Sequence, residues 1–400
     1  MSAIDLASAR AHILAAIDRD ATALRQLNAD IHSHPETAYE EVYAHDALTA
    51  FLETRGFNVR RHTYGLDTSF EAELGGDTGP VVVICAEYDA LPNIGHGCGH
   101  NLIATSSMAA FLGLAEAVKK TPGIAGRVRI LGTPAEEGGG GKARLVEAGA
   151  FKDPDIVAAI MAHPMSLHGM KDGNHGIAGF KMVASHKTRV EFRGRGAHAG
   201  GDPWNGLNAL DAAVAAYTSV SMLRQQIQTD ERIHGVIEDG GTVPNVIPDY
   251  TRMNWYIRSP TAARADSLLA RAKACFEAAA LATGCSVKYI PTLPADCIRK
   301  RADLPRSPSE PHAVPSIHGG NEPTQSQGNV SHVVPSFHGV FGIPTAPNIP
   351  GHHPEFAKAA KTDEAHEEAI ICARGLAMLG LRVLTESGIS EGAKRDFHAS

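Results

Sequence analysis

Two short segments bring together side chains that bind metals and move protons. In the first, which reads Gly-His-Gly-Cys-Gly-His-Asn from residue 95, the thiol of Cys98 lies two residues before the imidazole of His100. Glycines on either side allow the tight turn through which both side chains could face one point. The second segment carries the adjacent carboxylates Glu136 and Glu137, followed by four glycines. Thiolate, imidazole and carboxylate are ligands of Zn²⁺ and Mn²⁺, so the pattern predicts a hydrolase that activates water on a metal.

Two histidines further along the chain extend this set. His163 follows an apolar run and precedes a proline, and His352 lies in a Gly-His-His-Pro-Glu-Phe segment. Taken alone, each histidine is more often structural, the Glu pair more often a solvated turn, and the Cys98 segment more often a glycine turn with an unligated thiol. The metal hypothesis therefore depends on all four occurring in one chain.

The elements that must position these residues alternate between strands and helices. Glu136 lies just past the end of one predicted strand and His163 directly follows another, while Asn101 is a good N-cap for the helix after Cys98. This alternation predicts an open α/β sheet, in which ligand sites lie at the carboxyl ends of the strands. We expect helices at 4–30, 40–55, 102–120, 142–147 and 362–386, and strands within 57–74 and at 81–86, 128–131 and 156–162.

A different order of elements follows, in residues 183–292. Strand, helix, strand, strand, helix and strand succeed one another, which is the order of a ferredoxin-like α+β unit. We predict that 183–292 is inserted as a lid and dimerisation domain into a catalytic metal-binding domain formed by 1–182 and 293–400. The strands are expected at 187–194, 233–239, 250–258 and 286–291, and the helices at 208–226 and 262–282.

Composition narrows the class of protein. A chain of 400 residues usually forms more than one domain. The net charge of −7 argues against a nucleic-acid partner, and the aliphatic run 81–86 is far too short to span a membrane. Six cysteines without a C-x-x-C pair, and an amino terminus without a secretion pattern, favour a reducing, cytoplasmic location. Residues 296–327 are rich in proline and predicted to be irregular or disordered.

Eight segments occur together in this chain: Ala86–Pro92, Gly95–Ala104, Gly132–Gly138, Gly194–Ala199, Pro203–Ala209, Gly241–Asp249, Gly328–His332 and His352–Phe356. With these segments the chain resembles a known family, the M20 metallopeptidases and amidohydrolases. Its nearest branch is the group of peptidase M20 domain-containing protein 2, also called aminoacylase-1-like protein 2. The resemblance covers nearly the whole chain except 294–327.

The resemblance implies a zinc-peptidase-like mixed sheet and a metal centre with one or two ions of Zn²⁺ or Mn²⁺. Glu136 would be the general base that deprotonates the metal-bound water and then protonates the leaving amine. The implied metal ligands are Cys98, His100, Glu137, His163 and His352.

The resemblance also implies roles for the inserted domain. The counterpart of His198 in relatives reaches across a dimer interface to steady the oxyanion, so a homodimer through the inserted domain is expected. Asn245 and Arg258 would hold the amide and the carboxylate of a small substrate, since a guanidinium donates two parallel hydrogen bonds to a carboxylate. An exposed charge on a strand is the alternative interpretation of Arg258.

Together these features predict metal-dependent hydrolysis of an amide bond in an N-acyl amino acid or dipeptide. The nearest branch suggests β-alanyl or γ-aminobutyryl conjugates of basic residues. Relatives usually carry a carboxylate just before Gly328, where this chain has Thr324–Gln327. The alternative is therefore a catalytically impaired relative that binds metal or ligand, or scaffolds a dimer, without turnover. A third hypothesis, a hydrolase with Cys98 as the nucleophile, is weaker.

Overall fold

The computed structural model divides the chain into two compact units. The first contains 4–178 and 327–399, and the second contains 184–291. The predicted domain boundaries at 182/183 and 292/293, and the proline-rich segment up to residue 326, lie outside the described residues. The structure describes residues 4–170, 174–178, 184–260, 262–291 and 327–399.

The predicted elements occur in the predicted order, and the structure adds the strands Gly176–Ile177 and Ser336–Ile343 and the helices Gln327–Ser331, Pro354–Ala359 and Ser387–Ala399. The helices are α1 Leu6–Arg19, α2 Ala21–Ser33, α3 Val42–Glu53, α4 His100–Lys120, α5 Gly141–Ala148, α6 Ala209–Leu223, α7 Ala262–Thr283, α8 Gln327–Ser331, α9 Pro354–Ala359, α10 Asp363–Thr385 and α11 Ser387–Ala399. The strands are β1 Val59–Arg61, β2 Phe70–Gly75, β3 Val81–Ala86, β4 Arg127–Gly132, β5 Ile156–Ser166, β6 Gly176–Ile177, β7 Ala184–Arg193, β8 Arg232–Asp239, β9 Tyr250–Ser259, β10 Ser286–Pro291 and β11 Ser336–Ile343.

The first unit is built on a mixed sheet with the strand order β1-β2-β4-β3-β5-β11-β6. Strands β4, β3, β5 and β11 run parallel, and the outer pairs are antiparallel. Every residue of β3 is buried, as expected for a central parallel strand covered on both faces. The predicted α/β class is confirmed, and the carboxyl ends of β3 and β4 meet at the edge that carries the candidate metal site.

Helix α4 is the central helix of this unit. It packs against α1, α2 and α10, and its length and composition would suffice to cross a membrane. However, 89% of its most apolar window is buried inside the protein. Such burial is typical of the core helix of a folded domain.

Two element boundaries differ from the prediction. The helix expected at 4–30 is two helices, α1 and α2, which meet at Asp20. Strand β5 continues to Ser166, so His163 lies within the strand rather than after it. The reason is the parallel partner of β5. The whole of β11 pairs with β5, and Val340 of β11 lies opposite His163. Nothing in the sequence near His163 indicates this distant partner.

The predicted role of Asn101 as a helix N-cap is wrong. Gly99 is the N-cap of α4, in a left-handed conformation (φ +76°), where an added Cβ would lie 2.6 Å from Cγ of Pro164. Asn101 lies inside the helix and is fully buried. Its Nδ2 donates to Oδ1 of Asn28 at 2.7 Å and to the carbonyl of Ala360 at 2.9 Å. Asn101 therefore ties α4 to α2 and to the end of α9.

The second unit is a four-stranded antiparallel sheet with the order β10-β7-β9-β8 and the helices α6 and α7. Along β9 buried and half-buried residues alternate strictly, which is typical of a sheet covered on one face. The buried side chains include Phe192, Trp255 and Phe276. This is the predicted ferredoxin-like order, while the proposed lid and dimerisation roles stay predictions.

We predict that Asn101→Asp lowers the free energy of unfolding by about 2 kcal/mol or more, because aspartate cannot donate to Asn28 or Ala360 and its charge would be buried. Thermal or urea unfolding measures this change. Thr105→Ala, which removes one hydroxyl bond to the backbone of the same helix, is the milder control. An N-cap tolerates Asp as well as Asn, so an unchanged stability would contradict the buried-donor role.

Candidate metal and catalytic site

Backbone contacts join the loop of Cys98 to the loop of His352. The N–H of His352 donates to the carbonyl of Gly97 at 2.8 Å. His352 has a left-handed backbone (φ +63°), a strained conformation for a residue with a side chain. Such strain persists only where surrounding contacts enforce it, and it is common at functional sites.

Six predicted side chains converge in the first unit. Sγ of Cys98 lies 3.3 Å from Nε2 of His163, and Nε2 of His352 lies 3.3 Å from Oε2 of Glu137. Nε2 of His100 lies 3.8 Å from Oε1 of Glu137 and 3.9 Å from Oε2 of Glu136. Three overlapping groups of these residues place their ligand atoms within 4.8 Å of one another. The groups are Cys98 with His100 and His163, Cys98 with Glu137 and His352, and His100 with Glu136 and Glu137.

The residues fit a divalent metal ion. Nε2 of His100 and Oε1 of Glu137 are buried without a hydrogen-bond partner among the described residues. Buried polar atoms in this state are costly, and a metal ion would satisfy both. The cluster combines imidazole, thiol and carboxylate donors, which suits Zn²⁺ or Mn²⁺. The assignment of Cys98, His163 and His352 as further ligands stays a prediction.

Asp89, which was not predicted as a site residue, holds two of these residues in place. Nδ1–H of His100 donates to Oδ1 of Asp89 at 3.0 Å, which leaves Nε2 as the nitrogen available to a metal. The backbone N–H of Glu137 donates to Oδ2 of Asp89 at 2.9 Å. Asp89 is buried just past the end of β3, and that position after a buried strand is the signal that could have identified it.

The two adjacent glutamates differ in their ionisation. Burial, with the charges of Glu87 and Glu137, raises the pKa of Glu136 to about 8. Burial also acts against ionisation of Glu137, but the hydrogen bond from His352 and the charge of His100 lower its pKa to about 2. One carboxylate can therefore carry a proton near neutral pH while its neighbour stays charged. Such a division suits a general base beside a metal ligand.

The histidines of the cluster are held in different states. Burial alone would lower the pKa of His100, but the carboxylates of Asp89 and Glu87 raise it to about 10. Burial and the charge of His100 lower the pKa of His163 to about 3, so His163 is neutral. Nδ1–H of His163 donates to the carbonyl of Pro164 at 2.7 Å, so its Nε2 faces Cys98 with a lone pair. The cluster therefore favours the protonated, positively charged form of His100, whereas His163 presents a neutral nitrogen.

A buried ion pair between Lys142 and Glu87 lies next to the candidate site. Lys142 on α5 contacts Glu87 through Nζ and Oε1, and both side chains are fully buried. The other oxygen of Glu87 lies 3.6 Å from Nε2 of His100. Loss of one member would leave a buried charge uncompensated, a change that typically costs about 3–5 kcal/mol. The sequence offered no signal for this pair, because Lys142 begins a helix in which an exposed lysine is ordinary.

The environment of Cys98 argues against a cysteine nucleophile. Burial, followed by the charges of Glu137 and Glu136, raises the pKa of the Cys98 thiol well above its usual range. A nucleophilic cysteine requires a thiolate, which is favoured by nearby positive charge. A bound metal would supply that charge, so the thiol of Cys98 is better suited to be a metal ligand than a nucleophile.

Two of the remaining predicted residues lie side by side in the second unit. His198 forms a bridge with Val246, and the N–H of Ala199 donates to the carbonyl of Asn245 at 3.0 Å. Nδ1 of His198 accepts hydrogen bonds from two consecutive glycine N–H groups, at 3.1 and 3.0 Å. The proton of a neutral His198 must then be on Nε2, which makes the exposed end of the ring a hydrogen-bond donor.

Arg258 is not brought together with that pair. It lies near the end of β9, whereas Asn245 lies in the loop before Tyr250, where β9 begins. Eight residues of strand at about 3.3 Å each separate Arg258 from Tyr250 by roughly 26 Å. Within one copy of the second unit, Asn245 and Arg258 are therefore too far apart to hold the same dipeptide.

We predict that His352→Ala weakens metal binding by more than the roughly 100-fold that losing a supporting hydrogen bond can cost. Calorimetric titration of metal-free protein with Zn²⁺ or Mn²⁺ measures this affinity. His353→Ala is the matched control, because Nδ1 of His353 accepts the N–H of Glu355 and caps α9. Equal affinities of the two variants would contradict the role of His352.

Comparison with known proteins identifies the family of the chain. Residues 83–361 match the family described as Peptidase family M20/M25/M40. The Xaa-Arg dipeptidase of Mus musculus is 39% identical, over 95% of this chain and 90% of that protein, and that of Homo sapiens is 38% identical over the same shares. The YXEP protein of Bacillus subtilis, a dinuclear metal-binding peptidase, shares the fold (TM-score 0.58, 20% identity, 91% of this chain, 98% of that chain). The predicted resemblance is confirmed, and the chain belongs to peptidase family M20/M25/M40.

Proposed function

We propose that the protein hydrolyses the amide bond of a dipeptide or N-acyl amino acid, with a divalent metal held by Cys98, His100, Glu137, His163 and His352. The observation that carries the proposal is the adjacent pair Glu136 and Glu137. One has a raised pKa of about 8 and the other a lowered pKa of about 2, and both lie within 4 Å of His100.

In the proposed reaction Glu136 moves the proton. When bound, a divalent metal would polarise the amide carbonyl and make water more acidic. Glu136 accepts a proton from the attacking water as its oxygen bonds to the carbonyl carbon, and returns that proton to the amide nitrogen as the C–N bond breaks. A pKa near the working pH suits a group that must both accept and donate. His198, with its proton on Nε2, is suited to donate to the oxyanion.

For the substrate, we propose a dipeptide with a carboxyl-terminal basic residue. The two similar proteins named Xaa-Arg dipeptidase support this class, and each aligns with nearly the whole chain. Small amino-terminal groups such as β-alanyl or γ-aminobutyryl are the first candidates. Arg258 is proposed to bind the free carboxylate of the substrate, and Asn245 its amide.

A homodimer through the second unit would reconcile these roles. Asn245 and Arg258 are too far apart in one copy, so we propose that one copy supplies His198 and Asn245 while its partner supplies Arg258. Strand β8 is one of the two edge strands of the described sheet, and it exposes Val236 and Ile237. An apolar strand edge of this kind is a common site of pairing with another chain.

A substrate panel tests the proposed function. The metal-loaded protein is incubated with β-alanyl dipeptides ending in Arg, Lys or Glu, and with N-acetyl-arginine. We expect hydrolysis of the Arg and Lys dipeptides to be preferred over that of the Glu dipeptide, and to stop after exhaustive chelation. Saturating metal without turnover of any compound would instead favour the catalytically impaired relative.

Glu136→Gln is the accompanying variant. We expect it to lower kcat by about 10²–10⁴-fold, because glutamine cannot accept the proton of water. Elemental analysis should find the same metal content as in the unaltered protein, since the five proposed ligands remain. If the variant keeps full activity, Glu136 is not the general base.

A further inference from the structure

Glu41 is a buried carboxylate that the proposed mechanism does not use. We propose that it is a positioning residue, which holds the turn from which Glu136 and Glu137 project. The inference rests on the proposed roles of these two glutamates. It adds a residue that acts on them from another part of the chain.

The contacts of Glu41 point at this turn. Its side chain is fully buried, and Oε1 accepts the backbone N–H of Ala135 at 2.8 Å. Oε2 accepts the hydroxyl of Thr68 at 2.8 Å, which fixes the plane of the carboxylate. Ala135 immediately precedes Glu136, so the bond acts one residue before the proposed base.

The turn needs such support because Ala135 has a left-handed backbone (φ +58°). A residue with a Cβ avoids this conformation unless its surroundings enforce it. The carbonyl of Ala135 accepts N–H groups from Gly139 at 3.3 Å and Gly141 at 3.1 Å. Those bonds hold one side of Ala135, and Glu41 holds the other.

Neighbours of Glu41 leave its carboxylate available for this role. Glu41 occupies the N-cap position of α3, but the carboxylate of Glu36 accepts the first N–H groups of that helix, from Tyr43 at 2.9 Å and Ala44 at 3.0 Å. The hydroxyl of Tyr39 donates to the carbonyl of Gly139 at 2.5 Å. The segment before α3 therefore braces the turn of Ala135 at two points.

Two variants of Glu41 that differ in side-chain length and charge distinguish a positioning role from a need for a buried negative charge. Glutamine keeps the length of glutamate and a carbonyl oxygen that can accept the N–H of Ala135. Aspartate keeps the charge but is one methylene shorter, so it cannot reach both Ala135 and Thr68. A positioning role predicts that Glu41→Gln resembles the unaltered protein and Glu41→Asp does not, whereas a need for charge predicts the reverse.

Hydrogen exchange of the metal-free protein measures the turn itself. In the peptide that contains Ala135, we expect exchange about 10- to 100-fold faster in Glu41→Asp and Glu41→Ala, the range for losing a hydrogen bond to a charged group. Glu41→Gln should stay within a few-fold of the unaltered rate. The matched control is Glu71→Gln, which alters a buried glutamate that pairs with Arg60 and should leave this peptide unchanged.

Steady-state kinetics then show whether the turn of Ala135 positions Glu136 for proton transfer. We expect Glu41→Asp to lower kcat about 100-fold with little change in KM, because small misplacements of a catalytic group cost about this much. Glu41→Gln should restore most of kcat. If the unaltered protein hydrolyses no substrate, the proposed function fails while the exchange result still decides the role of Glu41. Slow exchange in Glu41→Asp, or fast exchange in Glu41→Gln, would overturn the inference.

Discussion

The carboxylate of Asp89 joins the segments on which the candidate metal site depends. One oxygen accepts Nδ1–H of His100 at the start of α4, and the other accepts the backbone N–H of Glu137 after β4. Asp89 itself follows β3, so the two bonds connect the ends of two parallel strands and the helix between them. They turn Nε2 of His100 toward Glu137 and hold the backbone of Glu137, so both proposed ligands are tied to the end of β3.

This arrangement concentrates negative charge in a buried place. Glu87, Asp89, Glu136 and Glu137 lie around His100, and Lys142 balances one of them. Buried carboxylates are stable only when cations or hydrogen bonds compensate them. The raised pKa of His100 is the response of the protein without a metal, and a divalent ion would provide the same compensation through the atoms that lack hydrogen bonds. The same group of buried carboxylates therefore underlies both the charge balance of the cluster and the proposed catalysis.

Much of this site could be predicted from the sequence, because several of its residues lie at or just past the carboxyl ends of apolar strands, and α/β sheets collect such residues at one edge. The prediction failed where a partner is remote. Asn101 matches the local preference for an N-cap, yet its actual partners, Asn28 and Ala360, are 73 and 259 residues away. Asp89 follows a buried strand, a position that could have identified it, whereas Glu41 acts on the backbone N–H of Ala135, which carries no residue-type signal.

The central claim is that turnover requires a metal held by this cluster. The most direct test adds Mn²⁺ or Zn²⁺ stepwise to metal-free protein, and measures bound metal and hydrolysis of β-alanyl-arginine on the same samples. Our account predicts no hydrolysis without metal, and a rate that rises with bound metal until the site is full. Full activity in protein that contains no metal would contradict it.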